Sequence, residues 1–76
     1  MTPEQCRAAR AWLNWTQAEL AQSARVALST VKDYEAGRRV PIANNLAAIR
    51  LALENFGISF VFDDEKKPFG ITYARP

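Results

Sequence analysis

The chain contains no histidine and a single cysteine, Cys6, among its 76 residues. Without an imidazole no Ser/His or Cys/His nucleophile pair can be assembled, and a Cys/His zinc site has no ligand set. A lone thiol cannot close an internal disulfide, so two of the usual supports of a very small domain are missing and association with a second chain is the one that remains. No run of 18 apolar residues occurs, and the first ten residues carry Pro3 and mixed charges rather than the basic start and apolar stretch of a signal peptide. These absences lead us to expect a cytoplasmic protein with no catalytic residues, no cofactor, no metal and no membrane partner.

What is present is ordinary for a folded domain. Hydrophobic residues make up 49% and charged residues 24% of the chain, which sets it apart from disordered or fibrous sequences and, at this length, allows one domain with one small core. The net charge of +2 is unevenly spread: residues 1–50 hold seven Lys/Arg against four Asp/Glu, whereas residues 51–76 hold three against four. A polyanion-facing N-terminal part and a neutral or acidic C-terminal part are implied.

Helix starts are legible as capping boxes. Thr2 and Gln5, with Pro3 at the first helical position, open a helix whose buried face is Cys6, Ala9 and Leu13 and whose stop is Asn14. Thr16 and Glu19 open a second, of about residues 17–24, with Trp15 and Leu20 placed to form a hydrophobic staple. A third fits about residues 28–36, with Val31 and Tyr34 inward and Gly37 as its stop. After Pro41, the spacing of Leu46, Ile49, Leu53 and Phe56 predicts a fourth, closed by Gly57. Ile58 to Phe62 and Phe69 to Tyr73 alternate in the manner of strands across a polar turn at residues 63–68, which predicts a β-hairpin. The organisation expected is a helical part over residues 1–57 and a hairpin over residues 58–76, mainly α in class.

Helix two, a short turn and helix three make a helix-turn-helix, the unit that lays its second helix in the major groove of DNA. With Val31 and Tyr34 inward, Ala27, Leu28, Ser29, Lys32 and Asp33 occupy the outward face of helix three. Ser29 can bond to several bases, Leu28 can touch a thymine methyl, and Asp33 can accept from a cytosine amino group. The rival reading of these positions is a solvated helix face. Cys6, on the apolar side of helix one, reads as an inert buried thiol. Trp12 belongs either to the cover of helix one or to a partner surface.

The run Trp15-Thr16-Gln17-Ala18-Glu19-Leu20-Ala21, with Val26, Ser29-Thr30-Val31, Tyr34-Glu35-Ala36-Gly37 and Pro41, resembles the Cro and phage-repressor type of helix-turn-helix, the XRE family. The resemblance spans about Thr2 to Gly57. It implies a four- to five-helix, lambda-repressor-like DNA-binding domain, usually dimeric, of bacterial and phage transcription regulators. It further implies that Gln17 bonds a DNA phosphate, that Arg38 and Arg39 grip the phosphate backbone, and that Arg10 and Glu35 form a structural pair. The chain departs from the family at Arg25, where glycine is usual in a left-handed turn, and at Ala27, where a Ser or Thr cap is usual.

Two functions compete at this point. One is a sequence-specific regulator of transcription, a repressor or autorepressor that occupies an operator, with double-stranded DNA as partner. As a homodimer it would recognise an inverted repeat and join through Ile58, Phe60, Phe62, Phe69, Ile71 and Tyr73 on one face of the hairpin. The other is a protein-interaction module, antitoxin-like or an anti-repressor partner, whose active surface is the aromatic hairpin.

Overall fold

A computed structural model describes residues 1–75. It contains α1 (Pro3–Trp12), α2 (Gln17–Ala24), α3 (Leu28–Glu35) and α4 (Ala43–Glu54), followed by β1 (Ile58–Phe62) and β2 (Pro68–Tyr73). The helical part therefore has four helices, and a hairpin follows the fourth. Both capping boxes form as the sequence requires: the Thr2 hydroxyl accepts from the Gln5 N–H while the Gln5 side chain accepts from the Thr2 N–H, and Thr16 and Glu19 do the same.

The core is built from one face of each helix and the start of the hairpin. Cys6 and Ala9 of α1, Leu20 of α2, Val31 of α3, Ile49 and Leu53 of α4 and Ile58 of β1 are all buried. α2 packs on α3 and α4, while α1 lies against α3 and β2, and β1 rests on α4. Phe56 departs from the periodic set in which it was placed. It lies beyond the last residue of α4, half exposed, and meets the Trp15 ring edge to face at 4.8 Å, so it covers the α1–α2 connection instead of lining the helix core. Gly57 is required for a second reason besides its positive φ of 99°: a Cβ there would overlap the carbonyl oxygen of Ala74, where the hairpin closes.

The hairpin is antiparallel with Ile58 opposite Tyr73, Phe60 opposite Ile71 and Val61 opposite Gly70, but Phe62 then faces Pro68. Phe69 is the extra residue of a bulge, and Pro68, which has no N–H to give, starts the strand there. The turn is correspondingly residues 63–67, one shorter than the spacing suggested, and is organised by Asp63, whose Oδ1 accepts from the N–H groups of Glu65 and Lys67. The bulge takes Phe69 out of the alternation that would place it on one face with Ile71 and Tyr73, while Ile58 stays opposite Tyr73 and Phe60 opposite Ile71. Ile58 is only 2% exposed, and Phe60 and Ile71, partly buried, pack against the core, so these three contribute to the protomer's own packing. Phe62, Phe69 and Tyr73 remain exposed, with Phe69 at 75%.

The hairpin is fastened to α1 by a residue whose sequence context points only to a helix cap. Gln5 is buried, and its Nε2 donates to the carbonyls of Val61 and Gly70 at 3.0 and 2.9 Å. An isolated two-stranded hairpin is marginal in water, and these two bonds together with the Ile58 anchor hold it down. Gln5→Glu preserves the acceptor that caps the helix but removes both donations and leaves two carbonyls facing a carboxylate. We expect it to destabilise the fold by about 2 kcal/mol or more in urea unfolding, although Glu is itself a favoured residue at this helix position. A loss below about 0.5 kcal/mol would show that the clamp contributes little.

Candidate nucleic-acid interface

α2 ends on Arg25 in the left-handed conformation, at φ 59° and ψ 43°, and the Val26 N–H bonds back to the Ala21 carbonyl. A non-glycine residue there costs about 1 kcal/mol. α3 is preceded by Ala27, which offers no side-chain cap. Both departures from the family pattern are thus real features of the turn, and α3 keeps its place through tertiary contacts: Val31 and Tyr34 are buried in the core, and Glu35 holds the end.

Glu35 is 2% exposed and its carboxylate receives four side-chain donors. Arg10 donates through Nε at 2.9 Å and through Nη2 at 3.0 Å, Gln17 through Nε2 at 3.0 Å, and the Cys6 thiol at 3.4 Å. Arg10 also donates to the Trp15 carbonyl at 2.9 Å, and Arg7 donates to the backbone carbonyl of Glu35. The Arg10–Glu35 pair expected from the sequence is therefore the centre of a network that joins α1, the α1–α2 connection, α2 and α3. Burial pushes the Glu35 carboxyl up, but the hydrogen bonds from Arg10, Gln17 and Cys6, and the charge of Arg10, outweigh it and leave the group below its ordinary value. Burial first, then the charge of Glu35, push the Cys6 thiol up to about 12, so the buried thiol stays protonated and unreactive.

On the solvent side the structure brings most of the anticipated residues together. Ala27, just ahead of α3, and Leu28, Ser29 and Lys32 on it are exposed, Leu28 by 39%. Asp33 is half-buried and paired with Arg38, which places both on the same face in contact with each other. Gln17 differs from expectation in one respect: its amide, which the family resemblance assigns to a phosphate, gives one hydrogen to Glu35 and keeps one. Arg39 forms no ion pair among the described residues. It lines an open groove of about 330 Å³ with Ser29, Thr30, Asp33 and Asn45, walled by Val40, Pro41 and Ile42. That groove was not anticipated; the signal in the sequence is the pair of β-branched residues flanking Pro41, which are exposed by 76% and 71%.

Charge favours a polyanion on this face. Between Arg25 and Ile42 the cations are Arg25, Lys32, Arg38 and Arg39, and the anions are Asp33 and Glu35. Since Glu35 is neutralised from behind by Arg10, the exposed balance is four positive charges against one negative.

The network yields a stability test. Arg10→Met leaves the buried Glu35 carboxylate without its counter-charge and costs about 3–5 kcal/mol, Glu35→Gln costs less because the Arg10 side chain still reaches solvent, and a double-mutant cycle shows a coupling of about 1–3 kcal/mol. Because the folded carboxyl titrates below its ordinary 4.5, the advantage of the wild type over Glu35→Gln is whole above that pH and shrinks as the pH falls through and below it. Additive losses, or an advantage that grows on acidification, would contradict the assignment.

The chain matches the family described as Helix-turn-helix over residues 7–59, from within α1 to the start of β1. A search of curated proteins finds no match. No helix among the described residues is long and apolar enough to cross a membrane. With the capped α2, the left-handed turn, the outward α3 and the Arg10–Glu35 lock in place, the match over most of the chain identifies it as a member of the Cro/XRE-type helix-turn-helix family of DNA-binding regulators.

Proposed function

We propose that the protein is a sequence-specific repressor or autorepressor of transcription that works in the cytoplasm by occupying an operator in double-stranded DNA. The observation that carries this reading is the start of α3, where Leu28 and Ser29 stand exposed on a cationic face while the helix behind them is fixed by the buried Glu35 and its ion pair with Arg10. An exposed leucine at a helix start is explained by contact with a thymine methyl, and Ser29 and Lys32 next to it supply hydrogen bonds to bases. Arg39 and the first turn of α2, with Gln17, hold phosphates on either side. The test is selection of bound fragments from a random duplex library, followed by binding of variants across salt concentrations. Leu28→Ala and Ser29→Ala change the preferred site, whereas Arg39→Ala weakens all duplexes alike and lowers the salt slope by about one. Substitutions at Leu28 and Ser29 that leave the preferred site untouched would remove α3 from the reading role.

The functional form in this proposal is a homodimer on an inverted repeat, because two recognition helices about 34–36 Å apart are needed to read two half-sites. Support comes from the surface. At 5116 Å², it is about 10% larger than the roughly 4,650 Å² that a folded monomer of 8.5 kDa exposes. Trp12 is 63% exposed with its ring 5.8 Å from that of Tyr73, and Phe62 and Phe69 are bare on the same hairpin. The same aromatics favour a second reading, in which the hairpin docks on a different protein, antitoxin-like or as an anti-repressor. Sedimentation of the isolated chain separates the two: the homodimer reading expects a dimer that Trp12→Ala with Phe69→Ser converts to a folded monomer. A wild-type chain that is monomeric both free and on its operator would favour the second.

A further inference from the structure

α3 ends in a backbone arrangement that fixes where the next side chain goes. Gly37 takes φ 72°, its N–H bonds to the Tyr34 carbonyl at 3.0 Å, and the Arg38 N–H bonds to the Asp33 carbonyl at 2.9 Å. These are the paired closing bonds of a Schellman motif, and they turn the chain back over the last turn of the helix. A Cβ at Gly37 would meet nothing within 4 Å, so the glycine is there for its left-handed conformation and not for room. The consequence is that Arg38 begins directly above Asp33. Its Nε and Nη2 both donate to Asp33 Oδ1, at 3.3 and 3.1 Å.

That pairing engages one edge of the guanidinium and one oxygen of the carboxylate. Of the five N–H groups of Arg38 three are left, including the two at the far end of the fork, and Asp33 Oδ2 accepts nothing among the described residues. The side chains are 66% and 37% exposed, so both free edges reach solvent. Asp33 lies one helical turn after Ser29, on the face that carries Leu28 and Lys32. A carboxylate alone on a face meant for DNA would repel phosphates, and an arginine already paired with a carboxylate is a poor phosphate clamp. The two together have no net charge but present a fork of donors beside an acceptor. In the major groove a guanine offers O6 and N7 as acceptors, and the cytosine paired with it offers an N4 donor.

We propose that Asp33 and Arg38 read one G·C base pair as a unit: the free end of the Arg38 fork donates to guanine O6 and N7, and Asp33 Oδ2 accepts from the cytosine amino group. Arg38 thereby becomes a specificity-determining residue, held in register by Asp33 and by the backbone turn at Gly37, while the grip on the phosphates falls to Arg39. This inference rests on the reading of α3 as the DNA-recognition helix.

The experiment uses the full chain and the duplex selected by it, with each base pair of the site replaced in turn. Arg38→Ala removes discrimination at one G·C position of each half-site, by roughly 10- to 100-fold, and leaves preference at the other positions in place. Asp33→Asn, whose single amide oxygen can accept from Arg38 or from the cytosine amino group but not from both, weakens the same position, and the double variant is no worse there than the more affected single one. Arg38→Lys keeps the charge but cannot bridge the Asp33 carboxylate and the guanine with one rigid fork, so discrimination at that position falls short of the wild type while the salt slope is retained. Full rescue by lysine, a uniform loss across all duplexes with a slope reduced by about one, or effects of Asp33 and Arg38 at different base pairs would each overturn the proposal. A wild type that selects a site which Arg38→Ala reads equally well overturns the paired reading alone. A wild type that selects no site overturns the DNA-recognition assignment beneath it as well.

Discussion

Taking a carboxylate out of water is unfavourable by several kcal/mol unless its charge and lone pairs are met, and Glu35 meets that demand by drawing donors from each neighbouring element. Arg10 answers the charge in two bonds, Gln17 and Cys6 supply the rest, and Arg10 reaches on to the Trp15 carbonyl. Cys6 and Arg10 reach it from α1 and Gln17 from α2, so the carboxylate is satisfied only when α1, α2 and α3 stand in one arrangement. That arrangement sets the angle between the two helices of the helix-turn-helix. The buried pair contributes specificity of structure, since an apolar replacement of similar volume could stabilise the fold as well without fixing the same geometry.

Against that frame the weaknesses at the turn are tolerable. Arg25 is held left-handed and Ala27 caps nothing, each at about 1 kcal/mol relative to the residue usual in the family. An eight-residue helix that begins uncapped would not persist alone. Here α3 is secured by Val31 and Tyr34 in the core, by Glu35, and by the Tyr34 hydroxyl, which donates to the Met1 carbonyl at 3.1 Å. With its inward side fixed in this way, α3 can leave Leu28 and Ser29 bare on the other side without losing position.

The parts legible in the sequence are those written by neighbours in the chain. Thr2 with Gln5 and Thr16 with Glu19 are local bonds, and the helices they announce begin where expected; α2 covers residues 17–24 in both readings. Gly37 and Pro41 mark the end of α3, which stops one residue earlier than the spacing alone suggested. Arg10 and Glu35 could be paired because the family resemblance supplied a long-range partner that periodicity never does. What stayed hidden depends on a choice between partners distant in sequence. Gln17 has an amide that fits a phosphate or a carboxylate equally, and the fold decides for Glu35. Phe69 keeps the alternation of a strand on paper, yet it is the extra residue of a bulge beside Pro68 and stands exposed, while Ile58, Phe60 and Ile71 pack on the core. Asp33 and Arg38 look like independent charges until the turn at Gly37 stacks one above the other.

The Gln5 clamp spans 56 residues to Val61 and 65 residues to Gly70, which is most of the polypeptide. Contacts of that span are the slow ones in folding, because the entropy of closing the loop is lost before the contact returns anything. α2 and α3, adjacent in sequence and joined by a short turn, can meet early with little loop to close. α1 cannot satisfy its buried amide until the bulge on the final strand has arrived. The unit that faces DNA is therefore assembled from local contacts, while completion of the molecule waits on the meeting of its two ends, and a chain caught before that meeting carries an open hairpin with Phe60, Phe62 and Phe69 available to other unfinished chains.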